Sequence, residues 1–75
     1  MPIEKLRVYF NSEYNITKAT LNTNPNIMTN ESLWYAVQRG MGASYLAQMM
    51  GASEAEVAPL FEEYKAKIMA LGDLK

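Results

Sequence analysis

A mainly α fold, a small tri-helical bundle, is predicted for this 75-residue chain, and three observations carry the prediction. Ser53-Glu54-Ala55-Glu56 is a capping box, and an apolar stripe at helical spacing follows it. Thr29 and Asn30 can cap a second helical stretch. Gly40, Gly42, Gly51 and Gly72 fall where such stretches would stop. The length is that of one domain, at the lower edge of what a single apolar core supports. Two parts are distinguished inside it: residues 1–28, a hairpin or helix plus an Asn-rich loop, and residues 29–75, the helical unit.

The first part has two readings. Ile3, Leu6, Phe10 and Tyr14 fit a helical stripe, with Pro2 at the first helical position. Leu6, Val8 and Phe10 alternate with Arg7 and Tyr9, the period of a strand. Residues 16–21 could then pair with that strand as a short β-hairpin. The strand reading is preferred for its β-favouring Val8-Tyr9-Phe10, and the helix remains the alternative. Asn11, Asn15, Asn22, Asn24, Asn26 and Asn30 make residues 11–30 a polar stretch, with Asn11 to Asn15 as the hairpin loop in the strand reading and a turn at Asn24-Pro25-Asn26.

In the second part, a helix is expected over Glu31–Arg39, with Leu33, Trp34 and Val37 on its core face. Gly40 would end it, Gly42 would free the chain to turn, and Ala43–Met50 would form the next helix. Past Ser53 the apolar face is Val57, Leu60, Phe61, Tyr64, Ile68 and Leu71, and Glu63 and Lys67 are spaced for an i, i+4 ion pair. Pro59 cannot donate to the Ala55 carbonyl, so a kink or a restart is expected there.

Residues 43–62 resemble the helix-turn-helix of bacterial and phage regulators. Ala47 is the small residue where two helices nearly touch, Gly51 the turn residue with positive φ, and Val57 the apolar contact back onto the first helix. Leu46, Met50 and Leu60 fill the remaining apolar slots, and the helix of Leu33, Trp34 and Val37 would be the third wall. The resemblance implies that the start of the second helix enters a DNA groove. In this chain its outward positions are Ser53, Glu54, Ala55, Ala58, Pro59 and Glu62, with none of the Arg, Lys, Asn or Gln donors that read bases. Residues 1–40 carry a net +1 and residues 41–75 a net −2, so the half that should meet a polyanion is the acidic one.

Composition narrows the function. Absence of Cys and His removes disulfides, thiolate zinc sites, the commonest general base and the commonest metal ligand. No catalytic, cofactor or metal residues are therefore assigned. The pairs Glu54/Glu56 and Glu62/Glu63 imply no cleft, and no nucleophile has an assembled base. The N-terminal residues lack a signal-peptide pattern and no run spans a bilayer, so a cytoplasmic location without membrane contact is expected.

The expectation is a non-enzymatic regulatory binding protein, of phage or mobile-element style, that uses a helix-turn-helix-like scaffold to bind or inhibit a larger protein. Transcription machinery or another nucleic-acid-binding protein is the partner class suited to an acidic helix. The candidate partner-binding residues are Tyr45, Met49, Ser53, Glu54, Ala55, Ala58 and Glu62. Met41, Met49, Met50 and Met69 are soft apolar groups suited to a contact or to filling gaps in the core. The alternative is a dimeric, sequence-specific DNA-binding regulator, with Lys5, Arg7, Lys18 and Arg39 as the phosphate contacts. A homodimer fits either reading.

Overall fold

The computed structural model describes residues 2–27 and 29–74. Three helices follow in order: α1, Pro2–Thr23; α2, Asn30–Met49; and α3, Glu54–Leu71. Single 3-10 turns lie at Pro25–Ile27 and Gly72–Leu74. At 1.5 Å per residue α1 and α2 are each about 30 Å long. They lie in a body of 39 × 15 × 15 Å, so all three helices run along its long axis. Short connections make consecutive helices antiparallel, an up-down-up bundle. The core is Leu6, Phe10 and Leu21 from α1, Leu33, Ala36, Val37 and Ala47 from α2, and Val57, Tyr64, Ile68 and Leu71 from α3.

The N-terminal β-hairpin does not form, and no strand occurs among the described residues. A strand would put Val8 beside Leu6 and Phe10. In α1, Leu6 and Phe10 are buried while Val8 is 64% exposed. Leu6, Phe10, Thr17 and Leu21 form a stripe four turns long, and this outweighs an alternation of three residues. The Asn-rich loop is likewise shorter than expected, because Asn11, Asn15 and Asn22 sit on α1. Buried Thr17 is satisfied by donating to the Glu13 carbonyl at 2.7 Å.

α2 is one helix where two were expected. Gly40 does not end it, and the only positive φ among the described residues is at Gly51, +112°. Gly40 is buried, and a Cβ there would lie 2.5 Å from Tyr64 Cε2 and 3.3 Å from Phe10 Cε1. Its missing side chain admits the Tyr64 ring, which stacks on Phe10 with centroids 4.5 Å apart and donates its hydroxyl to the Ala36 carbonyl at 2.8 Å. The third wall of the core is therefore α1, not a separate Leu33–Val37 helix.

Three further core assignments change with it. Leu46 and Met50, expected inside, are 60% and 62% exposed, and Trp34 is 48% exposed. The buried face of α2 is Leu33, Ala36, Val37, Gly40, Ser44 and Ala47. Leu46 lies about 100° round the helix from Ala47, which turns it to solvent.

The corner between α2 and α3 is set by local chemistry. Gly51 N–H donates to the Gln48 carbonyl and Ala52 N–H to the Ala47 carbonyl, both at 3.0 Å, a Schellman closure that needs the left-handed Gly51. Ser53 then accepts from Glu56 N–H at 3.2 Å, and the Glu56 carboxylate accepts from Ser53 N–H at 3.3 Å. α3 runs through Pro59 without restarting. The expected Glu63–Lys67 pair is replaced by Lys67 Nζ over the Tyr14 ring, 4.4 Å from its centroid.

Candidate protein-binding face

The outer side of α2 is unusual for a surface helix. An amphipathic helix carries charge on its solvent side. Between Ser32 and Ser53 the sequence holds one charged residue, Arg39. Arg39 is drawn sideways to α1, where it meets Glu13 at 3.2 Å. The solvent side is left to Tyr35, Gln38, Met41, Gly42, Tyr45, Leu46, Met49 and Met50, of which Tyr45 and Met49 are 73% and 77% exposed.

A groove flanks this ridge on each side. Towards α1 an open groove of about 480 Å³ is walled by Pro2, Leu6, Tyr9, Ala43, Leu46 and Met50, and its two charged residues, Lys5 and Arg39, are both basic. Burial, and then the charge of Glu13, raise the Tyr9 hydroxyl above its ordinary pKa. Towards α3 a groove of about 200 Å³ is lined by Met41, Tyr45, Gln48, Glu54, Ala58 and Phe61, and its one charged residue, Glu54, is acidic. Beside its C-terminal half the ridge thus has a cationic edge and an anionic edge; nearer the start of α2 the α3 edge carries Lys65, whose Nζ stands 6.0 Å from the Trp34 ring centroid.

The residues predicted for partner binding all reach solvent: Tyr45, Met49, Ser53, Glu54, Ala55, Ala58 and Glu62 are exposed. Tyr45, Glu54 and Ala58 come together in the α2–α3 groove. Met49 crowns the ridge, and Glu62 lies one turn beyond Ala58. The four predicted phosphate contacts do not gather. Lys5 and Arg39 line the α1–α2 groove, whereas Arg7 lines the α1–α3 groove with Glu63 and Lys67. Lys18 is about 20 Å further along α1 than Lys5.

Sequence reasoning missed Leu46, Met50, Trp34 and Gly42 as surface residues. The signal that could have found them is the charge-free run from Gly40 to Ser53, which a solvated face would not tolerate. Among the described residues no cluster of His, Cys, Asp and Glu could hold a metal ion, and no helix is long and apolar enough to cross a membrane. Comparison with protein-family models, with curated proteins and with solved structures finds no match to this chain.

Proposed function

We propose that the protein is a small, non-enzymatic regulatory binding module that docks a larger protein on the outer side of α2 and the α2–α3 groove. One observation carries the reading: the last turns of α2 and its C-cap residue present Tyr45, Leu46, Met49 and Met50 to solvent with no charge among them. Aromatic residues and Met are enriched at protein contacts, and charged residues are depleted from their centres. Contiguous exposed apolar surface of this kind marks an interaction site. Glu54 and Glu62 on the α3 edge suit a partner with basic groups beside an apolar patch, such as transcription machinery or another nucleic-acid-binding protein. The turn closed by Gly51 and the Ser53 capping box sets α3 antiparallel beside the ridge, so only the turn chemistry of the helix-turn-helix resemblance enters this reading.

The scatter of Lys5, Arg7, Lys18 and Arg39 favours this reading over DNA binding, which needs several cations on one footprint. The test compares the full chain with a Tyr45→Glu/Met49→Glu variant in affinity capture followed by quantitative mass spectrometry. Both side chains are exposed, so the variant keeps the wild-type melting temperature. A protein captured by the wild type and lost by the variant supports the proposal. Equal capture by both, or salt-sensitive retardation of duplex DNA by micromolar protein, overturns it.

A further inference from the structure

We propose that in the free protein the outer side of α2 pairs with a second copy of the chain, as a parallel two-fold dimer with Gly42 at the closest approach. The inference rests on the reading of this face as a protein contact and names its occupant before the larger partner arrives. Three observations converge on it.

The first is spacing. Glu31, Tyr35, Gln38, Gly42, Tyr45 and Met49 follow one another at alternating steps of four and three along the outermost line of α2, and Tyr35 donates its hydroxyl to the Glu31 carboxylate at 3.3 Å, so the line is charged at its N-terminal end and uncharged from Tyr35 to Met49. That is the seam repeat of two helices packed side by side. The second is Gly42. A Cβ there would meet nothing within 4 Å, so no contact inside the chain requires glycine, although glycine weakens a helix interior. A second helix backbone pressed against this point would require it.

The third is charge, and it selects both the occupant and its direction. Lys5 shares its groove with Ala47 and Met50; Glu54 shares the opposite groove with Tyr45 and Gln48. α1 and α3 both run antiparallel to α2, so Lys5 near the start of α1 and Glu54 at the start of α3 both lie beside the C-terminal half of α2, on opposite edges. A two-fold axis parallel to α2 keeps each residue's level and exchanges the edges. Lys5 then faces the partner's Glu54, a pair that occurs twice. An antiparallel pairing would set cationic edge on cationic edge. Among the described residues the only ion pair is Arg39–Glu13, so Lys5 and Glu54 bring unspent charge to the contact.

Sedimentation velocity on the full chain, from micromolar to near-millimolar, tests this. The expected result is a monomer–dimer equilibrium. Gly42→Glu sets two carboxylates together at the axis and weakens the dimer about a hundredfold. Lys5→Glu and Glu54→Lys each weaken it about tenfold, and the double variant recovers most of the loss. The exchange also decides the matter should Gly42→Glu fold poorly. Because the chain has no Cys, Met49→Cys gives a single thiol, and oxidation is expected to link it to its copy across the axis. A monomer at every concentration, a dimer indifferent to both Gly42→Glu and the exchange, or a dimer that Met49→Cys does not link each overturns the proposal. A strict monomer that still loses capture with Tyr45→Glu/Met49→Glu removes the dimer and leaves the proposed function standing. A dimer with capture unaltered does the reverse.

Discussion

Gly40 and Gly42 are two residues apart on one helix and have opposite surroundings. On the inner side of α2, Gly40 is filled by the Tyr64 ring, and every neighbour is accounted for within the chain. On the outer side Gly42 faces open space amid Leu46, Met49 and Met50. The two sides are alike in residue chemistry, since both are apolar with small residues at intervals. They differ in whether this chain supplies the covering surface. An apolar stripe therefore reports that a helix face is made to be covered, without saying by what.

The comparison breaks most readily at Gly40. Gly40→Ala places a Cβ against the Tyr64 ring, and overpacking costs about 1–3 kcal/mol. Chemical denaturation is expected to show a loss of about 2 kcal/mol, and a gain in stability there would show that the Tyr64 pocket is loose. Ser53→Ala removes one half of the capping box and should cost about 1 kcal/mol in the same measurement. Tyr64→Phe should also cost about 1 kcal/mol, because the Ala36 carbonyl loses its buried donor.

Tyr64 sharpens the inner side through pH as well. Burial, with the Glu13 charge added, pushes its hydroxyl up to about 12. A folded pKa above the unfolded value of about 10 favours the neutral phenol in the native state. That stabilisation is complete below pH 10 and is lost as pH rises from 10 towards 12. Melting temperature should fall over this window, and less so in Tyr64→Phe. The smallest effect belongs to the outer side. Gly42→Ala should stabilise the monomer by about 0.5–1 kcal/mol, with sign opposite to Gly40→Ala. Thermal melts at low concentration, where the monomer prevails, would read it.

How legible each part was follows from the range of the interactions that fix it. The corner from Ala47 to Val57 was readable, because its Schellman closure and capping box join residues within six positions. The α3 core face was readable for the same local reason, and so was the exposure of Tyr45 and Met49. Gly40 was not. A glycine that ends a helix and one that admits a ring 24 residues away look the same in sequence, and only the fold brings Tyr64 to it. Leu46 and Met50 were placed inside because the resemblance assigned them core slots, whereas α1 covers a different arc of α2. The N-terminal segment was misread because three alternating residues were weighed above a stripe that continues to Leu21.

The connections between the helices have a kinetic consequence. Few residues separate the end of α1 at Thr23 from the start of α2 at Asn30, and the end of α2 at Met49 from the start of α3 at Glu54, so each helix lies alongside its predecessor with little chain to close. Little loop entropy must be lost before contacts form, and bundles of this topology reach the native state in microseconds to milliseconds. The hairpin of α2 and α3, closed by Gly51 and Ser53, is the natural nucleus. Rapid-mixing or temperature-jump relaxation should show Ser53→Ala slowing refolding, while truncations near the start of α1, such as Ile3→Ala, act on the unfolding rate alone.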